Sequence, residues 1–319
     1  MKRSFLFSVS LAILLSLNLV AAPTALAASQ AQTQKAAAKP AIDAAAIVGM
    51  TQRQLTAKYG KPTRTEPSEY GFDWLVYNSD YSRFMMAGVR KGKVVALYTN
   101  AKGFKYGSKF QLGATKNKVR SAMGKKPVTY LRSGNTVAML PHTNEKDLFP
   151  VGSNHVTVFY DNIEKGVATS IMILPAADET SYVIRNPAMT AALGAAYQRL
   201  SVDLTNAIRV RRGLSALKVV TPNTKLATSR STDMRDRNYF DHYTPEHVSP
   251  AQQARRMGLS YLKLGENIAY GHRDAIFAHE RFMNSSGHRV NVLKDYTKIG
   301  VGVAVGGKRR AIITCIFTK

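Results

Sequence analysis

The spacing of apolar residues changes period along this chain, and each change marks an element. Leu193, Tyr197, Leu200, Leu204 and Ile208 keep helical spacing over four turns, which predicts a long amphipathic helix. A second helix is expected from Thr224 to about Asn238, ending before Tyr239-Phe240. Near the C-terminus the period falls to two. Ile299, Val301, Val303 and Val305 alternate with small residues, Gly306-Gly307 supplies a turn, and Ala311 to Phe317 returns, which predicts an antiparallel hairpin.

The preceding half contains an internal repeat. One copy opens Val48-Gly49-Met50-Thr51, continues through Leu55 and Tyr59, and closes on Gly60-Lys61-Pro62. The other opens Leu112-Gly113-Ala114-Thr115, continues through Val119 and Met123, and closes on Gly124-Lys125-Lys126-Pro127. Thr51 and Thr115 suit helix N-caps, and Gly followed by Pro stops a short helix. Strand-like runs follow each helix: Phe72 to Tyr77, Phe84 to Val89 and Val94 to Thr99, then Val137 to Leu140, His155 to Tyr160 and Ala168 to Leu174. Each unit reads as a helix plus a small antiparallel sheet, two units making one domain. Trp74, beside Tyr70, Phe72 and Tyr77, is expected in an aromatic core.

A length of 319 residues suits two domains. Lys2-Arg3, the apolar run from Phe5 to Val20 and Ala25-Leu26-Ala27 form the three parts of a signal peptide, residues 1–27. Residues 28–46, rich in Ala and Gln, read as a linker. The repeat domain spans 47–174, a second linker 175–187, and the last domain 188–319. An exported chain with no membrane span after cleavage is expected. Cys315 is the sole cysteine, so no internal disulfide forms, and its place in a strand-like run suits a buried small side chain.

The formal charge is +25, with 20 basic and 10 acidic residues in 47–186 and 21 and 9 in 187–319. A surface so basic throughout favours anionic envelope polymers or lipids as partners. It lacks the interleaved aromatic and basic residues of a nucleic-acid platform.

Five of the seven histidines fall between His242 and His288. His242, Glu266 and His288 offer two imidazoles and a carboxylate, a donor set acceptable to a divalent metal, zinc above all, with a position left for water. The same residues also suit a purely structural cluster, with Glu266 at a helix start and His288 in a loop. His279-Glu280-Arg281-Phe282-Met283 begins like a zinc-protease helix but has Met283 where the second histidine belongs. Ser285-Ser286-Gly287 lacks the first glycine of a nucleophile elbow. His142 and His155 stand alone, while His247, His272 and His279 are expected on exposed loops or helices.

These residues resemble the CAP superfamily, named for cysteine-rich secretory proteins, insect venom antigens and plant pathogenesis-related proteins. The resemblance rests on Leu204 to Arg209 with Gly213-Leu214-Ser215-Ala216-Leu217, and on Ser231 to Met234 leading to Phe240-Asp241-His242. Gly265-Glu266-Asn267-Ile268-Ala269 and Ser285 to Leu293 match most specifically. The repeat half looks like the amino-terminal domain that accompanies CAP domains in bacilli. The resemblance implies an α+β protein: a C-terminal α-β-α sandwich, with His and Glu lining a cleft, preceded by a smaller α+β domain. Eukaryotic members often add a second glutamate about three residues after a tryptophan. Here Phe282 looks like that tryptophan's replacement, so Ser285 holds the matching position as a polar neighbour. Glu280 lies five residues earlier, on the helix side of Ile276 and Met283.

The leading expectation is therefore a secreted, wall-associated binding protein whose cleft of His242, Glu266, Ser285 and His288 holds a metal ion or small ligand without turnover. The rival is a metal-dependent hydrolase of a wall component or peptide, with Glu266 and His288 catalytic and Glu266 or Glu280 as general base. A third reading makes the repeat half a protein-interaction module.

Overall fold

The computed structural model describes residues 41–141 and 143–319. The expected signal peptide, residues 28–40 of the first linker and His142 lie outside them. Residues 41–46, expected as tether, are part of the fold. Ile42 and Ala44 are buried, and Asp43 caps helix α1 (Ala44–Ile47).

Thr51 accepts a hydrogen bond from the Gln54 amide and starts α2 (Gln52–Tyr59) in a capping box. After it come β1 (Arg64–Pro67), β2 (Asp73–Tyr77), a 3-10 turn at Tyr81–Arg83, β3 (Met85–Arg90) and β4 (Lys93–Thr99). The short pair β5 (Lys105–Tyr106) and β6 (Phe110–Gln111) leads into the second copy. There Thr115 caps α3 (Lys116–Met123), and Gly124 ends it in the left-handed conformation that glycine adopts without strain. The hairpin β7 (Tyr130–Ser133) and β8 (Thr136–Met139) precedes β9 (Lys146–Val151), β10 (Asn154–Asp161) and β11 (Val167–Pro175).

The two repeats do not keep separate sheets. β4 pairs antiparallel with β11, which joins them into one seven-stranded sheet of order β1-β2-β3-β4-β11-β10-β9. Its faces alternate as a pleated strand requires. Leu75, Met85, Leu97 and Val156 pack on Ile47, Leu55 and Val119 of the repeat helices. Trp74, Met86, Tyr98 and Phe159 face the opposite way, into a core shared with Leu200, Leu204, Ile208 and Phe282 of the C-terminal half.

The stretch 175–187, expected as a linker, is mostly helix α4 (Ala176–Arg185), with Glu179 and Tyr182 buried. The described residues make one compact unit. Polar contacts line the junction: Asp203 accepts from Arg64, from Asn78 at 2.6 Å and from Tyr81 at 3.0 Å. Arg199 holds both oxygens of Glu66 at 2.6 Å.

The C-terminal half runs α5 (Ala191–Arg211), β12 (Lys218–Val219), α6 (Thr221–Asp236), α7 (Pro250–Arg256), β13 (Leu264–Tyr270), α8 (Ala275–Met283), α9 (Ser286–Leu293), β14 (Lys298–Val305) and β15 (Ala311–Thr318). Its sheet has the order β12-β14-β15-β13. On β14 the valines expected to alternate do so: Val303 and Val305 meet α5 at Gly194. On the other face, a Cβ on Gly300 or Gly302 would lie 2.1 Å from Thr224 N or 2.2 Å from Thr228 N, so only glycine admits the backbone of α6. Helices on both faces give the α-β-α sandwich.

Candidate functional site

The site hangs on β13, an edge strand. Glu266 and Asn267 are consecutive on it and point to opposite faces. Glu266 pairs in register with Ile316 on the α6 side, and Asn267 with Cys315 on the other. Gly265 sits where a Cβ would lie 2.5 Å from the Tyr296 hydroxyl and 2.7 Å from Asn291 Oδ1. Glu266 is thus a strand residue, and its expected place at a helix start is corrected.

The carboxylate of Glu266 is held from two sides. Arg230 of α6, with no side-chain exposure, donates from Nε to Oε2 at 3.0 Å. His242 Nδ1 lies 2.8 Å from Oε1 and, facing a carboxylate, carries the proton. That hydrogen bond holds the His242 pKa above its ordinary value. It also fixes the tautomer, leaving Nε2 as the outward nitrogen. Arg230 continues to the Asp241 and His242 carbonyls at 2.7 and 2.9 Å and to the Tyr239 hydroxyl at 3.1 Å. One buried guanidinium therefore pins the whole 239–242 segment to the strand.

Asn267 does the corresponding work on the other face. Its Nδ2 donates to the His288 carbonyl at 2.9 Å, and Asn291 Nδ2 donates to its Oδ1 at 2.9 Å. His288 is in α9, not in a loop as expected. Its Nδ1 lies 2.9 Å from Ser285 Oγ, and its ring sits 5.0 Å from that of Phe282. Burial, then the neighbouring His242 and Arg281, push its pKa below the ordinary value.

The structure thus brings His242 onto Glu266 and His288 onto Ser285. Among the described residues, however, no three His, Cys, Asp or Glu side chains converge as a metal-binding group. Glu266 supports an imidazole and neutralises an arginine. The outward donors are two imidazole nitrogens, short of the three protein ligands of a catalytic zinc site. This donor set does not fit a resident catalytic metal.

Glu280 is absent from the site. It is buried in the junction between the halves, accepting from Ser170 Oγ at 2.5 Å and Tyr98 Oη at 2.9 Å. Burial raises its pKa, and its expected candidacy as general base is corrected. His279 is also buried rather than exposed, with its pKa pushed down to about 3 by burial and Arg211. His155 lies against Glu179 at 2.8 Å, His247 is exposed, and His272 is half-buried. Cys315 is buried in β15, its thiol pushed up to about 12. Trp74 is core, edge-on to Phe72 at 4.9 Å.

Sequence reasoning missed Arg230 and Asn267. A signal for Arg230 existed: it follows Leu226 by four residues and precedes Met234 by four, on the buried side of α6. A buried arginine needs an anion, and Glu266 supplies it.

A cleft of about 1070 Å³ lies elsewhere, between the β7–β8 hairpin and residues 271–281, and none of His242, Glu266, Ser285 or His288 lines it.

Comparisons with known proteins agree with this architecture. Residues 48–181 match the CAP-associated N-terminal family, and residues 202–317 the Cysteine-rich secretory protein family. YlbC of Bacillus subtilis (strain 168), named an uncharacterized membrane protein, is 30% identical over 300 residues, 86% of this chain and 84% of its own length. YkwD of the same organism is 42% identical over 113 residues, 35% of this chain and 44% of YkwD. An extracellular protein with an SCP domain from Bacillus anthracis superposes with a TM-score of 0.74 at 26% identity, covering 88% of this chain and 96% of that one. A cysteine-rich secretory protein from Staphylococcus aureus shares the fold, with a TM-score of 0.71 at 18% identity over 88% and 94% of the two chains. With both halves matched in order, and a 30% identical relative covered over most of its length, the chain belongs to the cysteine-rich secretory protein (CAP) family and carries the CAP-associated domain ahead of it.

Proposed function

We propose that this chain is a secreted, envelope-retained binding protein that performs no turnover. The single observation behind this reading is the state of the carboxylates. Both oxygens of Glu266 are taken, by Arg230 and His242, and Glu280 is buried against Ser170 and Tyr98. Neither carboxylate is therefore free to act as the general base that the hydrolase reading assigns to Glu266 or Glu280. The outward Nε2 of His242 and the ring of His288, with Ser285 beside it, suit a small polar ligand. A divalent ion enters only as a weakly held ligand of two imidazoles. The basic surface on both halves supports retention at anionic wall polymers or lipids. The similar protein from Bacillus anthracis is named extracellular and YlbC a membrane protein; both descriptions suit a place in the envelope.

The test is co-sedimentation of residues 39–319 with purified wall material at low and high salt, with the supernatant searched for released fragments by mass spectrometry. Salt-sensitive retention without new fragments is expected. Fragments that disappear with His242→Ala/His288→Ala would overturn the binding reading in favour of hydrolysis.

A further inference from the structure

The cleft of about 1070 Å³ between the β7–β8 hairpin and residues 271–281 takes no part in the histidine site. Six lysine and arginine side chains line it against three acids, and each acid is already paired. Asp147 takes Arg120 at 2.8 Å, Glu145 takes Arg281, and Glu179 takes Arg273 at 2.5 Å. Those pairings leave three lysines over. Lys125 and Lys126 are exposed, whereas Lys146 is half-buried on β9.

The surroundings of Lys146 favour an amine over an ammonium. Its Nζ lies 5.7 Å from the centroid of the Phe277 ring, but Arg273 already stacks on that ring at 3.9 Å, so the ring does little for a second cation. No ion pair reaches Lys146 among the described residues. Its neighbour Glu145 is held by Arg281, and Glu179 by Arg273 and by His155 at 2.8 Å. His272, which also lines the cleft, is held below its ordinary pKa by burial and adds no anion. Burial, then repulsion from Arg273, push the Lys146 pKa below the ordinary lysine value; Arg281 adds to this, while Glu145 and Glu179 oppose it. A lysine desolvated beside another cation is a nucleophile near neutral pH, because more of it carries a free electron pair. Lys116 shows the contrast. It is also half-buried, but Asp147 lies 4.0 Å from its Nζ, the Asn144 carbonyl accepts from it at 3.3 Å, and it does not line the cleft.

We propose that Lys146 is a reversible covalent anchor for a small anionic aldehyde or 2-oxo acid, which it captures as an imine. The lysine nitrogen bonds to the carbonyl carbon, the carbon–oxygen bond breaks, and the oxygen leaves as water with both amine protons. The step needs no oxidant or reductant, and water reverses it. Lys125 and Lys126 add positive charge that no acid of the cleft neutralises, which favours an anionic group on the captured molecule. A neutral aldehyde forms the same imine without that attraction. The anchor shares no residue with His242, Glu266, Ser285 or His288, so it goes beyond the function proposed above and stands or falls separately.

The experiment is reductive trapping on the purified protein. It is incubated at neutral pH with glyoxylate or, separately, with propionaldehyde, reduced with cyanoborohydride, and mapped by peptide mass spectrometry. The first glyoxylate adduct is expected on Lys146, ahead of Lys116, Lys125 and Lys126. The exposed Lys102, which does not line the cleft, corrects for the different reactivity of the two aldehydes. Relative to Lys102, glyoxylate should label Lys146 about ten-fold more strongly than propionaldehyde does, the low end of electrostatic focusing in a cleft. With rising pH, trapping at Lys146 should level off before trapping at Lys125 and Lys126 in the same digest, which ordinary exposure would not produce. Lys146→Arg keeps the charge and should lose the adduct at the thermal midpoint of the parent, and His242→Ala/His288→Ala should be labelled as the parent is. If Lys146→Arg lowers the midpoint, the distribution of label among the parent's own lysines, which needs no variant, decides the case. Label spread evenly over the lysines, an undiminished adduct in Lys146→Arg, no preference for glyoxylate, or coincident pH profiles would each overturn the proposal.

Discussion

Replacing Arg230 by Met is the sharpest probe of how the histidine segment is held. Arg230 has no side-chain exposure and Glu266 only 3%, so the substitution strands a carboxylate in a low-dielectric site. The lost bonds to the Asp241 and His242 carbonyls matter less, because that segment is exposed and water replaces them. The stranded charge sets the scale, about 3–5 kcal/mol for breaking a buried pair. His242 makes this cost depend on pH. Its folded pKa lies above the ordinary 6.5, through the hydrogen bond to Glu266. In the parent, its contribution is therefore fully present below about 6.5 and is lost as pH rises through the raised folded value. In the variant the imidazolium is the remaining counter-ion of Glu266, so the cost is smaller near pH 6 and larger near pH 8. The His242 pKa should also rise further, since Arg230 opposes its protonation. Urea unfolding at both pH values, with an NMR titration of the imidazole, measures both effects. Arg230→Met/Glu266→Leu should recover most of the loss. A cost under about 1 kcal/mol at both pH values, the range of an exposed pair, or an unmoved His242 titration would refute the reasoning.

Three further expectations follow from the same geometry. Gly302→Ala sets a methyl 2.2 Å from Thr228 N and should cost at least about 1–3 kcal/mol by urea unfolding, the range of core overpacking; a neutral result would mean α6 is not seated on β14. His279 is buried with its pKa depressed to about 3, so stability should fall as pH drops below the unfolded value near 6.5 and continue falling towards 3. His279→Leu should flatten that slope, and an unchanged acid profile would contradict the burial argument. Elemental analysis of residues 39–319 purified without chelator should find well below one zinc per chain, and a full equivalent lost on His242→Ala/His288→Ala would show a third ligand that this geometry does not supply.

Much of the fold was legible locally. Thr51 and Thr115 begin the helices expected of them, and the period-two set Ile299, Val301, Val303 and Val305 forms a strand. The same local logic failed at Glu266, because a short Gly-Glu-Asn run carries too little periodicity to separate a strand from a helix start. At 175–187 two prolines suggested a linker, while the residues between them had enough helical character, and a face to bury, to make α4. His279 read as exposed and Glu280 as a general-base candidate on the side of Ile276 and Met283, because nothing in their own helix announces the Tyr98 and Ser170 of a distant sheet that hold Glu280.

By itself, the sequence determined the repeat, the long helix, the C-terminal hairpin and four residues of the histidine site, His242, Glu266, Ser285 and His288. Caps, turns and periodicity act within a few residues and need no knowledge of the rest of the chain. Only the tertiary structure decided that β4 pairs with β11, that the second face of the joined sheet is covered by the C-terminal half, and that Arg230 and His242 share the carboxylate of Glu266. Each of these depends on which apolar surfaces meet and which charges are buried with them, and residue spacing along the chain does not encode that.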